Sequence, residues 1–339
     1  MKRFFGTHFD MGVQQGALFA QRGYDLSYTV RKPALLKKQI AVYQKFYPEF
    51  LDELRGIAHG GGYDINTVFA YYLLPGLERY QAKKHKQACT IFGITNQHGS
   101  FVGRNYDWLP KTEDIFEVYK KEHATLFDFV GFSDMHPGTN EDIQKKQLSY
   151  NLVDAINEHG LFIGITYGYY DYCHPGLSWR DIARYIMERC ATVTQALAVF
   201  KKLPLSHPKN FFIADRKGAM AVVEHTAKNY KVLYPENNIL IQTNHYVDPD
   251  LARVDQVLKA KPTHNTFIRY YETLQALNAR KEAFTQNDVI KVLGNIQTCT
   301  CQNSVNTKTI YTLALDMRRC SYRLYSNLFD GRTMKKIST

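Results

Sequence analysis

The chain has 339 residues, 45% of them apolar and 22% charged, enough to bury a large core without disulfides or metal and too apolar for intrinsic disorder. Its 21 Gly and 11 Pro are too few for a collagen-like or low-complexity chain, and the length suits one large or two ordinary domains. The net charge of +11 is uneven: residues 1–88 carry 13 Lys/Arg against 7 Asp/Glu, and the remainder 30 against 25.

That basic excess raises the question of nucleic acid. Its densest piece, Lys83-Lys84-His85-Lys86, is too short for a binding arm, and no zinc-finger, RNP or KH signature accompanies it. It reads as a solvated linker, and no nucleic-acid partner is expected. The longest clear apolar run, residues 68–74, is far below the roughly 20 residues that cross a bilayer, so no membrane partner is expected either. The start MKRFFGTHFDMG has positive residues, but Gly6, Thr7, His8 and Asp10 interrupt any apolar signal-peptide core. A cytoplasmic location is expected.

In chain order, residues 33–58 show apolar positions at steps of three and four, with Pro48 splitting them into two helices or one kinked helix. Gly60-Gly61-Gly62 closes the second, and Asp64 is placed to cap a third that runs to Pro75. The first quarter is therefore expected to be mainly helical. From Cys89 the pattern changes to short strands and turns: CTIFGIT, NQHGS and FVGRNYDW form one hairpin, SYNLVDAI, NEHG and LFIGITYGY a second, and NFFIA, DRKG and AMAVVEH a third. Between the last two, SWRDIARYIMERC and TVTQALAVFKKL have helical spacing. The strands KVLY and NILIQT follow, then the helix TFIRYYETLQAL, a helix capped by Thr285 and Asp288, and the strands KTIYTLALDM and SYRLYSN. Hairpin-linked strands interrupted by paired helices argue for an α+β sandwich of antiparallel sheets with helices outside. No dinucleotide or P-loop glycine motif is present, and no repeat at a period of 20 to 50 residues.

Six cysteines are scattered along the chain, and the pair Cys299 and Cys301 lacks a second pair or a nearby His, so neither a disulfide framework nor a metal is expected. Cys89 is different. With the first turn centred between Gln97 and His98, residues whose numbers sum to about 195 lie opposite each other, so Cys89 faces Tyr106. Arg104 and Asp107 then return to the same strand end. A cation beside a thiol favours the thiolate, and Arg104 supplies one without itself titrating; Asp107 could orient a base or hold a charged amine. Spacing alone leaves open a buried cysteine beside an ordinary Arg–Asp ion pair.

The words around Cys89 add to this. KQACTIFGITNQHGSFVGRNYDW, with C-T-x-F followed by G-R-N-x-D-W, resembles the nucleophile region of the acyl-coenzyme A:6-aminopenicillanate acyltransferase family, relatives of choloylglycine hydrolases and penicillin V acylases. The resemblance extends upstream through YPEFLDELRGIAHGGGYDINTVFAYYLLPGLE and downstream through DAINEHGLFIGITY, ILIQTNHY and FIRYYETLQAL. It implies an N-terminal-nucleophile hydrolase fold, a four-layer αββα sandwich, and a chain that cuts itself between Ala88 and Cys89. Residues 1–88 would be the propeptide or small-subunit segment, packed on the same domain, and 89–339 the catalytic segment. The freed α-amine, with an ordinary pKa of about 7.7–8.0, would serve as base for the thiol of the same residue. Ala88 stands where such precursors commonly carry Gly, whose backbone tolerates more strain at a scissile bond.

By the same resemblance Asn244 would supply the oxyanion hole and Arg269 a further site cation; an Asx turn and a helix-surface Arg are the ordinary alternatives. Thr166 and Tyr167 would line the pocket, with Trp108 beside the catalytic strand, suiting an apolar acyl group. The expected reaction is cleavage or transfer at a linear, non-peptide C–N bond of a small acylated amine or acyl donor. It calls for no cofactor and no metal, and a homo-oligomer is compatible. Two rival readings are an uncut binding protein on the same scaffold and a thiol hydrolase with His245 as base.

Overall fold

Residues 1–28, 30–78, 88–113, 116–133, 147–257 and 265–326 are described by a computed structural model. The linker Lys83-Lys84-His85-Lys86 lies outside the described residues. The chain opens with β1 (Lys2–Gly6), followed by α1 (His8–Gln21), α2 (Pro33–Phe46), α3 (Pro48–Gly61), α4 (Ile65–Leu73) and the short α5 (Pro75–Glu78). Local chemistry sets these bounds. Thr7 and Asp10 close a capping box on α1, Pro33 and Pro48 each begin a helix in its first turn, and Asp64 accepts from the Thr67 N–H to start α4. Gly62 ends α3 at φ 68°, where a side chain would be strained. Pro48 therefore separates two helices and does not kink one.

α1 and α3 cross at backbone contact. A Cβ added at Gly12 would sit 2.1 Å from the Glu53 carbonyl oxygen, and one at Gly56 would sit 2.2 Å from that of Phe9. Hydrogen alone fits at the crossing.

The strands that follow are β2 (Ala88–Asn96), β3 (Gly99–Trp108), β4 (Glu117–His123), β5 (Phe129–Ser133), β6 (Asp154–Asn157) and β7 (Phe162–Tyr167). After α6 (Trp179–Arg189) and α7 (Val193–Phe200) come β8 (Lys209–Ala214), β9 (Met220–His225), β10 (Tyr230–Leu233) and β11 (Ile239–Gln242). The rest is α8 (Pro249–Ala252), α9 (Thr266–Asn278), α10 (Gln286–Leu293), β12 (Lys308–Asp316) and β13 (Ser321–Ser326). They build an eight-stranded sheet in the order β1-β4-β5-β6-β7-β8-β9-β10 and a five-stranded sheet in the order β11-β2-β3-β12-β13.

The sheets stack face to face, with the N-terminal helices, α6 and α7 over the larger and α9 and α10 over the smaller. This is the expected α+β, four-layer αββα sandwich. One pairing departs from expectation: β1 runs parallel to β4, so the first quarter is not only helical but adds an edge strand to the main sheet. Strand alternation sorts the core. Along β2, Ile91 and Gly93 face the other sheet, where a Cβ at Gly93 would meet Met220, whereas Phe92 and Ile94 join the apolar cluster under α9 and α10.

Candidate active site

The hairpin β2–β3 carries the chemistry, and its register is the one expected: Cys89 pairs with Tyr106, Ala88 with Asp107 and Ile91 with Arg104. Cross-strand partners share a face, so Cys89, Tyr106 and Arg104 look into the space between the sheets, while Ala88, Thr90, Asn105 and Asp107 look toward α9 and α10. Arg104 and Asp107 are three residues apart and hence on opposite faces. The ordinary ion pair that spacing left open does not form.

Arg104 is fully buried and spans the two sheets. Its Nε donates to Asp154 Oδ2 at 2.8 Å, its Nη2 to the Ile165 carbonyl oxygen at 3.0 Å and its Nη1 to the Asn105 carbonyl oxygen at 2.6 Å. Burial opposes its charge, but Asp154 and then the nearby Cys89 hold the guanidinium firmly protonated. Asp154 also accepts from the Tyr311 hydroxyl at 2.5 Å and the Ile165 N–H at 3.1 Å. Sequence reasoning missed Asp154, although a carboxylate inside the apolar run NLVDAI was its signal.

Asn244 and Arg269 come to Cys89 from elsewhere in the chain. The Cys89 N–H donates to Asn244 Oδ1 at 2.7 Å, and Arg269 Nη2 donates to the same oxygen at 2.8 Å. Arg269 Nη1 donates to the Cys89 carbonyl oxygen and, at 2.9 Å, to Thr90 Oγ1. Two donors on Oδ1 fix the orientation of the amide, and its buried Nδ2 has no hydrogen-bond partner among the described residues. Arg269 is fully buried, not a helix-surface residue.

Asp107 receives the Thr309 hydroxyl at 2.6 Å on Oδ1, and its buried Oδ2 has no hydrogen-bond partner among the described residues. Burial pushes its carboxyl up to about 7, against the pull of Arg269, Thr309 and Arg104. Cys301 lies beside Thr309, and burial together with Asp107 raises its thiol to about 11. The C-x-C pair is thus packed behind the site, a position its spacing did not reveal.

His245, the rival base, has its Nδ1 engaged by two hydroxyls. Its Nδ1 lies 3.1 Å from the hydroxyls of both Thr243 and Thr266, and its ring packs on Phe267 and Tyr270. Burial and the neighbouring Arg269 lower it to about 4. Thr266 also accepts from the Asn244 N–H at 2.8 Å, so this group seats Asn244.

The pocket candidates divide. Thr166 pairs with Asn210 on the face toward the second sheet and accepts from its Nδ2 at 3.3 Å. Trp108 shares the face of Tyr106 and is half-buried near Leu148 and Tyr24. Tyr167 lies on the opposite face of β7, under Lys209 and against Tyr169. A cavity of about 220 Å³ between α9 and α10, lined by Arg280, Asp288, Lys291 and Thr300 among others, contains none of these residues.

Among known structures the fold is similar to penicillin V acylase from Agrobacterium tumefaciens, at 17% identity over 70% of this chain and 82% of that one, with a TM-score of 0.50. It is also similar to a variant of conjugated bile acid hydrolase from Clostridium perfringens, at 13% identity over 74% and 92%, with a TM-score of 0.51. No curated protein sequence matches. Residues 94–328 match a family profile that begins five residues after Cys89 and spans β3 to β13, Asn244 and Arg269, and on that match the chain belongs to the acyl-coenzyme A:6-aminopenicillanic acid acyl-transferase family.

Proposed function

We propose that the protein is a self-processing cysteine amidase or acyltransferase acting on a linear, non-peptide amide. The observation that carries this reading is the Asn244 amide, anchored through Oδ1 by the Cys89 N–H and Arg269, with an unpartnered Nδ2 beside the thiol residue. In processing, Cys89 Sγ attacks the Ala88 carbonyl carbon, the C–N bond breaks with the proton passing to nitrogen, and water hydrolyses the thioester to leave a carboxylate on Ala88. Residues 1–88 then form the small-subunit segment, and the chain from 89 begins with its own base. In turnover the Cys89 amine takes the thiol proton, Sγ attacks the acyl carbon, and Asn244 Nδ2 stabilises the oxyanion. Asp107, across the ladder from Ala88, holds the ammonium. Collapse of the oxyanion breaks the C–N bond, the Cys89 ammonium gives its proton to the leaving amine, and water or a second amine then takes the acyl group from sulfur.

Intact mass and N-terminal sequencing of wild type and Cys89→Ala test the first half. Wild type is expected in two pieces, the larger beginning at Cys89, and the variant at 39.2 kDa. A wild-type chain that stays whole would remove the amine base. Penicillin V and a conjugated bile acid are the first substrates to assay. Trp108→Ala is expected to change the preferred acyl length; an unchanged preference removes Trp108 from the pocket.

A further inference from the structure

Asn244 lies just past β11, in a segment that is neither helix nor strand, yet its amide must be held to a fraction of an ångström if it is to meet an oxyanion. Ladder hydrogen bonds do not supply that rigidity here. Four of the segment's backbone N–H groups are instead taken by side chains of Thr266, Asp255 and Glu224. Asn244 N–H goes to Thr266 Oγ1 at 2.8 Å, Tyr246 N–H to Asp255 Oδ2 at 2.8 Å, Val247 N–H to Glu224 Oε1 at 2.7 Å and Asp248 N–H to Glu224 Oε2 at 2.9 Å. Gln242 Nε2 holds the His245 carbonyl oxygen at 2.8 Å from the other side.

We propose that Glu224 is a positioning residue for the oxyanion donor, acting with Asp255 to pin residues 244–248 so that Asn244 Nδ2 is presented to the acyl carbon. This deepens the reading above and rests on it. Glu224 points from β9 into the space between the sheets, and its two oxygens span adjacent N–H groups three and four residues past Asn244. A carboxylate is the one side chain that offers two acceptors in that fork. Burial raises Glu224 to about 7 and Asp255 to about 6, so both carboxyls sit where their charge is disfavoured. An apolar residue would fill either position at lower cost to stability but would leave the segment's N–H groups unpaired.

The test is a double-mutant cycle on the full chain, read as p-nitrophenyl butyrate hydrolysis and normalised by intact mass to molecules with a free Cys89 N-terminus. Glu224→Gln, which keeps the volume but loses one acceptor, is expected to lower kcat at least tenfold with KM within twofold. In an Asn244→Ala background the same change should alter kcat less than twofold, and Glu224→Asp should recover part of the wild-type rate. Equal factors in both backgrounds would overturn the proposal, because a role in general stability multiplies with the loss of Asn244. Asp255→Asn, run through the same cycle, gives an independent answer if Glu224→Gln fails to melt cooperatively. Ester hydrolysis that survives Cys89→Ala would overturn the proposed function itself; Cys89-dependent hydrolysis with an additive cycle would overturn only the role of Glu224.

Discussion

Asn244 shows how much chemistry one side chain can carry once its neighbours fix it. Its Oδ1 is committed to the Cys89 N–H and Arg269, so the donor end has a single direction. Asn244→Ala is expected to lower kcat about 100-fold with little change in KM, the scale seen when one oxyanion donor is removed; a loss under threefold in a steady-state assay would assign the oxyanion to other donors. His245 is the complementary case, a buried neutral imidazole lowered from its ordinary 6.5 to about 4. The unfolded chain therefore binds its proton first, and this residue's contribution to stability is lost as pH falls below 6.5. At pH 5 the loss is about 2 kcal/mol. His245→Gln should make the fall in unfolding free energy between pH 7.5 and pH 5 smaller by that amount in urea titrations. Both residues stand in the motif TNHY, but only the folded contacts separate their roles: Asn244 meets Cys89, while His245 meets two threonines.

Among the elements, the β2–β3 hairpin was legible because a two-residue turn between alternating strands fixes every partner downstream. The pairing of Cys89 with Tyr106 follows directly from it. The α1–α3 crossing was not legible, since Gly12 and Gly56 are far apart in sequence and each reads locally as a weak helix residue. Their meaning is set by the approach of two backbones. Propensity alone predicts that Gly56→Ala stabilises α3 by about 1 kcal/mol. The Phe9 carbonyl oxygen at 2.2 Å predicts the reverse, a loss of about 2 kcal/mol from overpacking. Thermal melting decides by sign: a higher Tm would mean that the helices can separate without cost.

Across the whole molecule, the N-terminal helices are fastened to the main sheet by a buried ionic network as well as by apolar packing. Glu53 of α3 accepts from Arg184, from Lys121 at 2.6 Å and from Gln15 at 2.7 Å. Glu188 of α6 accepts from Arg184 at 2.7 Å, Arg189 at 2.8 Å and Tyr47 at 2.6 Å, with His8 and His123 alongside. Ligand-type atoms of His8, His123 and Glu188 lie within 4.8 Å of one another, but the carboxylate is already occupied by two arginines and a hydroxyl. Arg184, joined by Lys121 at Glu53, holds Glu53 and Glu188 well below the usual carboxylate range despite burial. Arg184→Met should therefore cost about 3–5 kcal/mol by leaving buried charge uncompensated, measured as a shift in the urea midpoint; a cost under 1 kcal/mol would mean that water reaches the network. Among the described residues no helix is long and apolar enough to cross a membrane.

The amino-acid sequence by itself determined most of the elements after Cys89, though not β4, β5 or α8, together with the α+β class, the hairpin register and the ordered motifs that identify the family. These are encoded by local periodicity, turn chemistry and short words, which need no knowledge of distant partners. Tertiary structure alone decided which distant groups meet: Arg104 with Asp154 across two sheets, Arg269 on the Cys89 carbonyl and β1 parallel to β4. Each of these joins residues dozens to hundreds of positions apart. Their pairing depends on how two sheets and two helical layers stack, a choice made by the packing of the whole core.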